Sequence, residues 1–146
     1  ILSQGYSAKP WAGPFASALS MVPAAIDAGM GTLGKHGSLI HGEFGSSFRL
    51  SAVTTDMPLV EDQIRDIGSE DFCKNCQICV KACPSAAIFP EKQMVRGVNK
   101  WFVDFDKCIP IFGEALGCAI CIAKCPWSTP GRAPKLSQKM LNRRKQ

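Results

Sequence analysis

The sequence predicts an α+β fold in two unequal parts with a short basic tail, and three observations carry that prediction. All eight cysteines lie between Cys73 and Cys125. Residues 1–57 contain none, and alternate Gly- and Pro-rich turns with short apolar runs. Residues 131–146 contain no Asp or Glu but include Arg132, Lys135, Lys139, Arg143, Arg144 and Lys145. At 146 residues and 46% hydrophobic, the chain has the size of one ordinary domain, or of two small ones sharing a core, and its composition is not that of a disordered protein.

Taken in order, residues 1–14 read as an irregular segment with Tyr6, Trp11 and the following Phe15 interspersed. A helix is expected to begin near Pro23, with proline in its first turn and Gly29 just past its end. Gly31, Gly34 and Gly37 punctuate a loop. Two strands are expected next, Ser38–His41 and Ser47–Thr54, the second placing Phe48, Leu50 and Ala52 on one face and Arg49 on the other. Residues 58–71 are acidic and read as a surface connector. Within residues 72–130, short helical turns are expected at Val80–Ala82 and Ile122–Lys124, each closed by Cys-Pro. Asn99–Phe105 alternates as a strand able to pair with Ala86–Phe89. Asp106 would cap a helix running to Leu116 and ended by Gly117. Leu136, Met140 and Leu141 allow an amphipathic helix in the tail.

The cysteines fall into Cys73-x-x-Cys76-x-x-Cys79-x-x-x-Cys83-Pro84, and into Cys108 followed by Cys118-x-x-Cys121-x-x-x-Cys125-Pro126. A disulfide framework fits poorly, because neighbours this close cannot easily meet bridge geometry. Cys-x-x-Cys pairs also hold zinc, but zinc sites rarely add a third cysteine at the same interval and then Cys-Pro. The spacing matches two [4Fe–4S] clusters in a ferredoxin-like domain, where the cysteine before proline ligates the other cluster. Cys73, Cys76, Cys79 and Cys125 are therefore expected to hold one cluster, and Cys83, Cys108, Cys118 and Cys121 the second. Phe72, Ile78, Ile88, Ile120 and Trp127 are expected to exclude water around them.

The net charge of +5 comes from the tail, since the rest is close to neutral. Such a tail can meet phosphate, an acidic redox partner or an anionic membrane, but the simpler expectation is a solvated helix end. There is no apolar run of membrane-spanning length and no recognisable leader. Because the chain opens at Ile1 in what reads as mid-domain sequence, a fragment or processed product is expected, and the missing leader says nothing about export.

Two stretches resemble the reductive dehalogenases. The first is Ala28-Gly-Met-Gly-Thr-Leu-Gly-Lys-His-Gly-Ser-Leu-Ile40, continued by Glu43-Phe-Gly-Ser-Ser-Phe-Arg-Leu-Ser-Ala-Val-Thr-Thr-Asp-Met-Pro-Leu59. The second is Lys107-Cys-Ile-Pro-Ile-Phe-Gly-Glu-Ala-Leu-Gly-Cys-Ala-Ile-Cys-Ile-Ala-Lys-Cys-Pro-Trp127, in which nine residues separate Cys108 from Cys118 where the compact pattern has two. The resemblance runs from about Tyr6 to the tail and implies a C-terminal fragment. Residues 1–57 would end a nitroreductase-like domain that binds base-off cobalamin, and residues 72–130 would be the complete two-cluster domain.

The implied reaction turns R–X, two electrons and a proton into R–H and halide, with the clusters relaying electrons to cobalt. It implies an organohalide substrate, an external low-potential electron donor and, for exported members, a membrane anchor protein; nucleic acid is not expected as a partner. Such enzymes sit in the cytoplasm or, when exported, on the outer face of the cytoplasmic membrane. Lys35, His36, Gly37 and Ser38 would approach the corrin, Arg49 would be the cationic catalytic residue, and the catalytic tyrosine is expected upstream of Ile1, making the isolated fragment inactive. Two other readings compete: epoxyqueuosine reductase, which acts on a modified tRNA base, and a plain two-cluster electron carrier, which leaves residues 1–57 unexplained.

Overall fold

The computed structural model describes residues 1–11 and 18–145. The aromatic Phe15 and the entry to the first apolar stretch lie outside the described residues. Among the described residues, six α-helices and six short strands follow one another in a mixed α/β arrangement, and every sheet is two-stranded, so the sheets are clasps between segments rather than a platform.

Strand β1 (Lys9–Trp11) pairs antiparallel with β4 (Ala52–Thr54), placing Pro10 opposite Val53. Only three residues of the expected Ser47–Thr54 strand enter that ladder, because β1 is no longer than three. Residues 47–51 stay outside any ladder, and the alternation of Phe48 and Leu50 serves a groove instead of a sheet. Helix α1 (Met21–Asp27) starts two residues before Pro23, which sits in its first turn, and Gly29 follows with φ +75°. Strands β2 (Thr32–Leu33) and β3 (Leu39–Ile40) form a hairpin. Its tip is closed by Gly34 N–H to Ser38 O at 2.8 Å and Gly37 N–H to Gly34 O at 2.9 Å. The partner of Leu39–Ile40 is thus the preceding segment and not the expected downstream strand.

Residues 55–67 carry no helix or strand, and most of them are exposed. Helix α2 (Ser69–Asn75) then begins earlier than the cysteine loop suggested. Glu70 and Asp71 in its first turn and Lys74 in its last complement the helix dipole. Helix α3 (Ile78–Ala82) and helix α5 (Ile120–Ala123) pack on one another and correspond to the two predicted turns. Between them, β5 (Gln93–Val95) and β6 (Val98–Lys100) form a hairpin, while Ile88 and Val103 make an isolated bridge. The pairing expected for Ala86–Phe89 is reduced to that bridge, because the Arg96–Gly97 turn folds Asn99 back on Met94.

Helix α4 (Phe105–Glu114) is capped by Asp104, not Asp106: the Asp104 carboxylate accepts the backbone N–H groups of Asp106 and Lys107. The earlier start is the one that lets an N-cap side chain satisfy the first orphan amides. Gly117, at φ +110°, follows the helix as expected. Helix α6 (Ala133–Arg143) buries Ala133, Leu136 and Met140.

The main core joins the segments: Ile40, Ile67, Cys73, Trp101, Cys125, Trp127, Ala133 and Leu136 form one buried cluster. A smaller cluster contains Cys79, Ala87, Ile88 and Val103. At Gly45, φ +72°, the chain passes so close to Trp127 that a Cβ would overlap its carbonyl oxygen. No helix among the described residues is long and apolar enough to cross a membrane.

Candidate iron–sulfur centres and the adjoining groove

All eight cysteines are free thiols, and the fold gathers them into two quartets. Cys73 rides on α2, Cys76 caps its end, Cys79 lies on α3, and Cys125 arrives from the Cys-Pro turn after α5. These four, with Lys35, His36, Phe72, Pro126 and Trp127, line one cavity. Phe72 meets Trp127 edge-on, 5.8 Å between ring centroids, and Trp127 is fully buried. The second group is Cys83, Cys108 at the start of α4, Cys118 and Cys121. Cys108 and Cys121 each feel Cys83 and Cys118 electrostatically, and Cys83, Cys108 and Cys121 pack around the smaller core.

Burial raises thiols in both groups, Cys108 and Cys121 in the second among them, and Cys83 is the exception. Burial pushes Cys73 up to about 11 and Cys79 up to about 12, with neighbouring thiols adding to the shift. Burial also raises Cys125, against an opposing hydrogen bond from Ser46. For Cys83, burial acts upward but hydrogen bonds prevail and hold the thiol below its ordinary value; Ser85 Oγ lies 3.5 Å from its sulfur, and the Ala87 amide donates to it at 3.4 Å. A thiol that ionises reluctantly alone becomes a good ligand once a cation sits beside it.

The residues fit iron–sulfur cubes. Among the described residues, no three His, Cys, Asp or Glu side chains converge on a single ion. The first four sulfurs instead surround a cavity, as the corners of a cube require. Three donors of that cavity's lining residues are buried without a partner: Lys35 Nζ, His36 Nε2 and Trp127 Nε1. Each such group costs about 1–3 kcal/mol if left unmade, so an acceptor-rich anion there is the natural complement.

Of the loop expected to meet a corrin, Lys35 and His36 turn into this thiol cavity, and Gly37 forms the positive-φ corner of the hairpin tip at +79°. Ser38 alone faces a separate groove of about 1180 Å³. That groove is lined by Phe48, Leu50, Phe112 and Leu116, with the polar groups of Ser38, Ser46 and Arg49 among them. Arg49 is exposed and makes no ion pair with the described residues. A groove of this size, apolar with a few placed hydroxyls and one guanidinium, suits a large amide-bearing macrocycle.

Of the apolar residues expected near the sulfurs, Phe72, Ile88 and Trp127 pack there, whereas Ile78 and Ile120 are exposed at the first positions of α3 and α5. Sequence reasoning missed Ser46 and the orientation of Lys35. The signal for Ser46 was the adjacent Gly45, whose lack of a side chain permits the contact with Trp127.

Comparison with known proteins agrees with this geometry. Residues 72–129 match a 4Fe-4S dicluster domain. The tetrachloroethene reductive dehalogenase of Sulfurospirillum multivorans is 36% identical over 116 residues, 73% of this chain and 23% of that protein. The solved catabolic reductive dehalogenase NpRdhA superposes on 92% of this chain and 20% of its own, with a TM-score of 0.77 and 31% identity. The epoxyqueuosine reductase of Vibrio cholerae is 34% identical over 130 residues, 84% of this chain and 34% of that protein. The chain thus spans about a fifth of the length of the dehalogenases it matches.

Proposed function

We propose, from a chain that is a homologue of the reductive dehalogenases over the segment it spans, that it carries two [4Fe–4S] clusters and delivers electrons to a cobalamin at which an organohalide is reduced. Cys73, Cys76, Cys79 and Cys125 hold one cluster, and Cys83, Cys108, Cys118 and Cys121 the other. The groove lined by Ser38, Phe48, Leu50, Phe112 and Leu116 would hold cobalamin, which would supply a metal able to reduce a carbon–halogen bond.

One observation carries this reading: the groove shares its wall with both thiol quartets. Ser46 lines the groove, lowers the Cys125 thiol against the effect of burial, and its hydroxyl meets Ser128 Oγ at 2.8 Å, three residues beyond Cys125. Gly117 and Ala119 line it as well, and flank Cys118. An electron leaving either quartet toward the groove therefore crosses one or two residues. Ser38 and Ser46 offer hydroxyls to corrin amides, and Phe48, Leu50, Phe112 and Leu116 exclude water. Arg49 places a permanent positive charge where halide charge develops.

The test is anaerobic reconstitution of the full-length protein with iron, sulfide and cobalamin. About eight irons per chain, one corrin, and halide release from a halogenated alkene or phenol are the expected result. Iron without corrin would leave only an electron carrier. The similarity to epoxyqueuosine reductase supports a second reading with the same cofactors. Salt-sensitive tRNA binding without halide release would select it.

A further inference from the structure

We infer that Lys35, His36 and Trp127 donate hydrogen bonds to the sulfur atoms of the cluster held by Cys73, Cys76, Cys79 and Cys125, and thereby raise its reduction potential. The inference rests on the cluster reading above and gives the hairpin tip, through Lys35 and His36, a share with Trp127 of the cluster domain in setting that cluster's potential.

Lys35 is the least expected residue of the core. It is 1% exposed, its ammonium lies 4.7 Å from the centre of the Trp101 ring, and no carboxylate among the described residues pairs with it. A buried ammonium needs a counter-charge. The aromatic face supplies only part of one. The nearest negative charge the cavity can offer is a thiolate-ligated cluster, and Lys35 already acts electrostatically on Cys73 and Cys79.

His36 tells the same story by its tautomer. Its Nδ1 accepts the Ser38 N–H at 3.2 Å, so the ring proton of the neutral form sits on Nε2, which has no acceptor. Trp127 Nε1, a donor only, is equally buried and equally alone. All three residues line the first cavity. The second quartet draws its donors from its own loop, Ser85 and the Ala87 amide.

A cluster becomes more negative when it gains an electron, so donors and a cation aimed at its sulfurs favour the reduced form. The same tip contributes Ser38 to the groove. Cluster and groove therefore share one five-residue turn, Gly34 to Ser38, locked by its own hydrogen bonds.

The experiment is an EPR-monitored redox titration of the reconstituted full-length protein and of K35M, H36N and W127F, with iron counted in each. One of the two cluster potentials is expected to fall, most in K35M, which loses charge and donor together, while the other stays put. Unmoved potentials in all three variants at full iron content would overturn the inference and leave the clusters standing. A wild-type protein without [4Fe–4S] signals would instead sink the cluster reading. Where a variant fails to load iron, wild-type protein decides: proton couplings on the reduced cluster that vanish in D2O are expected, and their absence counts against the inference.

Discussion

The first thiol quartet is built into the main core, whereas the second hangs on the edge of the molecule. Cys73, Cys79 and Cys125 are 6–7% exposed; Cys73 and Cys125 share a buried cluster with Ile40, Trp101 and Leu136, and Cys79 is buried in the smaller core with Ala87, Ile88 and Val103. Cys83, Cys108, Cys118 and Cys121 are all half-buried, and α4 beside them buries no residue. Similar ligand spacings thus yield two different environments. The difference comes from what the upstream and tail segments lay over the first quartet, namely the hairpin tip, Trp127 and α6. Ligand spacing sets which metal group is held, and burial with buried donors sets how it behaves.

Removing one ligand from each quartet is the strongest way to break the comparison. C73A should abolish the buried cluster and disrupt the fold, because it opens the main core and leaves Cys79 and Cys125 as buried thiols that ionise reluctantly. C108A should lose its own cluster, dropping iron from about eight to about four per chain, while the domain stays folded. Iron analysis with circular dichroism decides the matter. Equal unfolding in both variants would show that the quartets are structurally equivalent.

Next in size is W127A. Trp127 is fully buried, meets Phe72 edge-on and supports the close approach at Gly45. Its truncation should cost about 3–5 kcal/mol in anaerobic denaturation. Truncating Phe112, which is exposed beside the second quartet, should cost far less, since little is removed from a packed core.

A smaller effect is kinetic. With an iron chelator or limited oxygen, bleaching of the visible absorption should be biphasic, the half-buried cluster going several-fold faster. C108A should lack the fast phase. A single phase in the wild-type protein would mean that exposure does not govern lability here.

How far these features could be read from the sequence follows the same division. The Cys-x-x-Cys intervals, with the pattern in which the cysteine before proline serves the other cluster, divide the eight cysteines into the same two groups that the fold brings together. Helices α1, α4 and α6 were legible from prolines, caps and apolar spacing. The strands were not. Leu39–Ile40 and Ala52–Thr54 take partners across turns whose register no alternation pattern encodes. The burial of Lys35 was equally hidden, since a lysine in a Gly-rich loop ordinarily faces water. Only the assembled core brings Trp101 under its ammonium.

The tail gives the smallest effect and tests whether its basic character is structural. Arg144 binds both Asp66 and Asp71, joining the end of α6 to the connector and to α2. Hydrogen bonds from Arg144 hold both carboxyls below their ordinary value. Because the folded pKa lies below the unfolded one, this stabilisation is full above about pH 4 and fades as pH falls through the lowered folded value. The groups are exposed, so salt should screen the effect. R144Q should therefore lower Tm slightly at pH 7 in dilute buffer, less in molar salt, and progressively less as pH falls below about 4. Lys135 and Lys139, exposed on the same helix and without an ion-pair partner among the described residues, are the control. K135Q and K139Q should leave Tm unchanged across the pH range, and a drop equal to that of R144Q would mean that overall tail charge, rather than the Asp66–Arg144–Asp71 clasp, anchors α6.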